Sequence, residues 1–72
     1  MRNEKQIRIN YKPLWKMLID REMTKGDLRK LTQIAASTFT KMTNNENVSL
    51  DVLVRISIAL KCGLDDIVEI ER

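Results

Sequence analysis

Apolar residues recur along most of this chain at the three- and four-residue spacing of helices, and alternate with polar ones only near its two ends. Gln6-Ile7-Arg8-Ile9-Asn10-Tyr11 alternates in this way, which predicts a short strand. Lys12-Pro13 then opens a first helix running to about Arg21, since a proline lacks only an N–H that has no partner in a first turn. Asn10 is its expected N-cap. Leu14, Trp15, Leu18 and Ile19 form its expected inner face, with Trp15 read as core or boundary packing.

Thr24 is the expected N-cap of a second helix over Lys25 to Leu31, with Asp27 completing a capping-box pair. Leu28 and Leu31 are its expected buried positions. Thr32-Gln33-Ile34 reads as a turn, and a third helix covers about Ala35 to Thr43, with Phe39 and Met42 inward. The polar run Asn44-Asn45-Glu46-Asn47 is a loop, its asparagines suited to left-handed backbone. Ser49 caps a fourth helix, Leu50 to about Leu60, whose expected buried stripe is Leu50, Leu53, Ile56 and Leu60. Lys61-Cys62-Gly63 ends it, Leu64 to Ile67 forms one more helical turn, and Val68-Glu69-Ile70-Glu71 again reads as strand. Strands at opposite ends of so small a chain invite antiparallel pairing.

The pattern therefore predicts an all-α domain of four to five helices, with the small terminal strand pairing as its one β element. At 72 residues there is room for one domain, expected over 1–72 with its core at 11–67. A chain 43% hydrophobic and 32% charged is neither disordered nor a membrane span. Its polar first residues lack the apolar stretch of a signal peptide, so the expected location is the cytoplasm, with no membrane partner. There is one cysteine and no histidine, so no disulfide, metal or cofactor is expected, and Cys62 reads as a small apolar filler. No catalytic constellation can be assembled either. Asp65-Asp66 is explained by its place at the positive end of a helical turn, and the chain is not expected to be an enzyme.

Charge changes the picture further. Residues 1–43 carry ten Lys/Arg against four Asp/Glu, and residues 44–72 three against six. The basic excess lies in the half holding the second and third helices, as expected of a domain that turns one face to phosphates. The third helix also carries Ala36, Ser37, Thr40, Lys41 and Asn44 on its outer side. These short side chains make a helix slim enough for a DNA major groove, with hydroxyl, methyl and ammonium groups suited to base edges.

In the order of its elements the chain resembles the Cro/repressor type of helix-turn-helix domain, the XRE class of bacterial and phage regulators. The resemblance covers about residues 11–70. It rests on the leading amphipathic helix, Met23-Thr24-Lys25, Leu28, Ile34, Ser37-Thr38-Phe39, the asparagine-rich loop, Val48-Ser49-Leu50, and Ala59-Leu60 followed by Cys62-Gly63-Leu64-Asp65-Asp66-Ile67. It implies sequence-specific binding of double-stranded DNA in transcription regulation. By position it places Ala36, Ser37 and Lys41 at base edges, with Thr40 at the margin. Lys25 would meet a phosphate, as would Asn44 and Asn45 by side chain or amide.

Three residues depart from the usual pattern. Gln33 stands where glycine is common, Arg29 where a small residue is, and Ala35 where a hydroxyl residue caps the third helix. One domain of this size reads few base pairs, so a homodimer on adjacent half-sites is expected, through the terminal strands or the outer side of the fourth helix. The alternative is an antitoxin-like or other protein-interaction module on the same scaffold, with a protein partner supplying the main function.

Overall fold

The computed structural model describes residues 8–71, so the expected strand positions Gln6 and Ile7 lie outside the described residues. The elements run β1 (Arg8–Asn10), α1 (Lys12–Asp20), α2 (Lys25–Thr32), α3 (Ala36–Thr43), α4 (Leu50–Leu60), a 3₁₀ turn (Leu64–Asp66) and β2 (Glu69–Glu71). The strands pair antiparallel, with Arg8 opposite Glu71, Ile9 opposite Ile70 and Asn10 opposite Glu69. The expected antiparallel pairing of the two strands is therefore present. Among the described residues no helix is long and apolar enough to cross a membrane.

One core joins all the helices. Tyr11, Leu14 and Leu18 enter it from the α1 side, Leu28 from α2, Ile34 from the turn, and Phe39 and Met42 from α3. Ile56 and Leu60 of α4 and Ile67 after the 3₁₀ turn complete it. Trp15, Met17, Leu53 and Cys62 pack partly buried around its edge.

Three expected core residues are corrected: Ile19, Leu31 and Leu50 are 73%, 58% and 63% exposed. The helical register explains each. Leu14 and Leu18 set the buried line of α1, and Ile19 lies a further 100° round toward water. In α2 the position one turn after Leu28 is Thr32, which is buried and donates its hydroxyl to the Leu28 carbonyl at 2.8 Å. In α4 the inner face is Leu53, Ile56, Ser57 and Leu60, and Leu50 sits in a first turn that projects past the core.

Caps follow the sequence at two of the helices. Thr24 Oγ1 accepts from the Asp27 amide and Asp27 Oδ2 from the Thr24 amide, both at 3.0 Å, closing the capping box on α2. Those Thr24 contacts hold the Asp27 carboxyl below its usual range. Ser49 Oγ accepts from the Val52 amide at 3.3 Å on α4. The cap of α1 is a correction: Tyr11 occupies the N-cap position, without a side-chain cap bond. Asn10, one residue earlier, is buried instead. Its Oδ1 accepts from the Lys12 amide at 3.0 Å and its Nδ2 donates to Glu71 Oε2 at 2.9 Å. This one side chain joins the start of α1 to the last described residue of β2.

Helix ends here use left-handed backbone without glycine. Gln33, Asn45 and Lys61 follow α2, α3 and α4 with φ of 58°, 59° and 55°, and Glu22 follows α1 with 57°. Lys61, rather than Gly63, makes the turn that ends α4. For residues other than Asn or Gly each such turn costs roughly 1–2 kcal/mol.

Candidate nucleic-acid interface

α3 is held by one side and open on the other. Phe39 and Met42 are buried, while Ala36, Ser37, Thr40, Lys41 and the C-cap residue Asn44 are all exposed. At 100° per residue those five positions fall within one continuous outer stripe. The hydroxyl of Thr40 is engaged along its own helix, donating to the Ala36 carbonyl at 3.2 Å. What it offers outward is a methyl group and an acceptor lone pair. No such bond holds Ser37 among the described residues, so its hydroxyl can both donate and accept.

The N-terminus of α3 has no side-chain cap, because Ala35 carries no oxygen. The Ala35 carbonyl accepts from the Thr38 and Phe39 amides at 3.1 and 3.4 Å. The amides of Ala36 and Ser37, in the first turn, have no intrahelical acceptor. They form a partly positive end on the stripe that holds Ala36 and Ser37. Arg29, the second departure, is exposed and so does not occupy the space between α2 and α3. Gln33 takes the left-handed turn between them, donating its amide to the Arg29 carbonyl at 2.7 Å.

Lys25 begins α2 yet reaches two other helices. Its Nζ donates to Thr43 Oγ1 at the end of α3, at 3.1 Å, and lies 4.1 Å from the centre of the Trp15 ring on α1. Exposed contacts of this kind contribute about 0.5–1 kcal/mol. They hold a charge in place without burying it. After α3 the Asn44 amide donates to the Thr40 and Lys41 carbonyls, and the Asn45 amide to Met42. Those two amides are used within the fold, so a phosphate contact from Asn44 or Asn45 falls to their side chains.

A sequence model of the Cro/C1-type helix-turn-helix DNA-binding domain matches residues 13–72. The chain belongs to that family. The crystal structure of the transcriptional regulator VanUg superposes with a TM-score of 0.88 at 49% identity, covering 90% of this chain and 87% of that one. No curated protein matches. In this Cro/C1-type domain α2 and α3 are the helix-turn-helix pair, and the resemblance read from the order of elements is the correct family.

The structure also brings forward a residue that sequence reasoning missed. Arg8 on β1 shares a polar groove of about 490 Å³ with Asn44, Asn45 and Asn47, the groove being completed by Ile9 and Glu71. Thirty-six positions separate Arg8 from Asn44, and only the fold brings them together. Nothing local to Arg8 could have signalled it beyond its charge. A second tie fixes the loop from behind: the Tyr11 hydroxyl donates to the Glu46 carbonyl at 2.7 Å.

Proposed function

We propose that this Cro/C1-type domain is a transcription regulator that binds double-stranded DNA sequence-specifically, with α3 in the major groove. The observation that carries the reading is the exposed stripe of α3, held from beneath by Phe39 and Met42. Ser37 then reads a base edge through its hydroxyl, Ala36 packs on a thymine methyl group, and Lys41 donates to a base acceptor. Thr40, with its proton committed to Ala36, adds a methyl contact at the margin. Lys25 holds a phosphate from its place beside Thr43, and the side chains of Asn44 and Asn45 hold another. Phosphate contacts of this kind set the position of the helix, while base contacts set the sequence. Arg8 adds a cation at the far side of the asparagine loop. Two copies on adjacent half-sites supply the affinity that one small domain lacks.

Alanine replacements at Lys25 and Ser37 separate the two kinds of contact. Lys25→Ala is expected to weaken binding to every duplex about equally, and to reduce the slope of log K against log salt by about 0.9, one released counterion. Ser37→Ala is expected to leave that slope unchanged and relax preference at one base pair by about 1 kcal/mol. The measurement is titration at several salt concentrations, on a duplex selected from a random pool and on a scrambled one. Equal wild-type affinity for both duplexes would remove base reading by α3. Binding to neither would remove the DNA reading and favour a protein-interaction module.

A further inference from the structure

We infer that the outer face of α4 is the surface on which a second copy of this chain docks, antiparallel, α4 against α4. Eight of the eleven α4 residues are apolar, the exceptions being Asp51, Arg55 and Ser57. Apolar residues that continue past the inner face onto the exposed one mark an interaction surface. In the single chain only half of it is covered. Leu50, Val54 and Ile58 stand one turn apart and are 63%, 39% and 71% exposed. Beside Ile58 lies a groove of about 340 Å³, lined by Leu31, Thr32, Arg55, Ile58 and Ala59. Leu31 is itself 58% exposed, so apolar surface continues from α4 onto the end of α2.

The charges beside this stripe select a copy of the same chain as its partner. Asp51 and Arg55 are paired at 3.1 Å along one flank of Leu50, Val54 and Ile58, the one ion pair among the described residues. A twofold axis beside Val54 sets Val54 against its own copy and Leu50 level with Ile58 of the second chain. The same operation keeps both charged flanks on one side, with opposite chain directions. Asp51 of each chain then comes beside Arg55 of the other, and each ion pair joins into a ring of alternating charge. Symmetry of this kind is what an isologous contact requires. Leu50 of the second chain is brought level with the groove between Ile58 and Leu31.

This inference supplies the two-copy arrangement of the proposed function, but its test needs no DNA. A patch of this size falls short of the roughly 20–30 residues per side of a standard interface, so the dimer dissociates readily. Sedimentation equilibrium of the full chain over about 1 μM to 1 mM spans the relevant affinities. The expected result is a rise in mean mass from 8.4 kDa toward twice that value. Ile58→Glu, at an exposed position, should keep its melting temperature and stay monomeric.

Charge reversal decides between self-pairing and general stickiness. Asp51→Arg alone and Arg55→Asp alone should each weaken association at least about tenfold by placing like charges together. An equimolar mixture of these two variants should form a heterodimer, and the double variant should recover the wild-type dimer. A wild type that stays at 8.4 kDa throughout the range overturns the inference. So does a dimer that survives Ile58→Glu, or a mixture of the two single variants that fails to associate. Failure of DNA binding with the dimer intact would overturn the proposed function alone.

Discussion

Phe39→Ala is expected to destabilise the domain by about 3–5 kcal/mol, the range for removing a buried aromatic ring. The ring is 5% exposed and lies on the inner side of α3, packed with Leu28, Ile34 and Met42 in the one core. At 72 residues the whole domain is expected to hold about 4–11 kcal/mol of stability, so this change removes a large share of it. The ring is also what α3 rests on, so the loss should be seen in DNA affinity as well as in thermal and urea unfolding. An unchanged melting temperature would mean that α3 presents its opposite face to the core. The assignment of Ala36, Ser37, Thr40 and Lys41 to the outside would fall with it.

Tyr11→Ala should cost a similar 3–5 kcal/mol, because the ring is wholly buried where β1 passes into α1. Tyr11→Phe is the more informative change. It keeps the packing and removes only the 2.7 Å bond from the hydroxyl to the Glu46 carbonyl, a loss of about 1 kcal/mol. That bond fixes the loop carrying Asn44, Asn45 and Asn47, so DNA affinity should fall without a change in base preference.

Burial pushes the Tyr11 phenol above its ordinary value of 10.0, against a smaller opposing pull from the Val48 backbone. The folded state therefore holds the phenolic proton more tightly than the unfolded chain. Its contribution is fully present below pH 10 and is lost as pH rises through the raised folded value. Wild type should lose stability in that alkaline window and Tyr11→Phe should lose less, as read by urea unfolding at stepped pH. Parallel declines would show that this phenol is not what alkali attacks.

The helices were legible because their caps and apolar stripes agree. Thr24 with Asp27, Ser49 before Leu50, and Leu28, Phe39, Met42, Ile56 and Leu60 all stand where local pattern puts them. Ile19, Leu31 and Leu50 were misplaced for a common reason. Each lies at the margin of a stripe or in a terminal turn, where periodicity does not say how far the core extends. α4 carries apolar residues on part of its exposed side as well as on its inner face, so its apolar stripe is wider than the side it buries.

The outer stripe of α3 could be read from one helix alone, and the structure leaves it open as expected. The surroundings of that stripe could not. Arg8 meets the asparagine loop across a shared groove, Lys25 meets Trp15 and Thr43 through the packing of three helices, and Thr40 spends its proton on Ala36. Each is a property of rotamers and tertiary approach, which spacing along the chain does not encode.

The position of Lys25 over Trp15 has an optical consequence. The chain contains one tryptophan, so emission excited beyond the tyrosine absorption originates at a single ring. An excited indole carries a larger dipole than in its ground state, and a cation 4.1 Å from its centre shifts the energy of the emitted light. A phosphate that captures the Lys25 ammonium draws this charge off the ring and hands it a new neighbour. Emission should therefore change colour as duplex is added, and the Lys25→Ala protein should begin near the bound colour and move little. Under the proposed function the unlabelled domain would carry its own gauge of backbone engagement, separate from any signal of base contact.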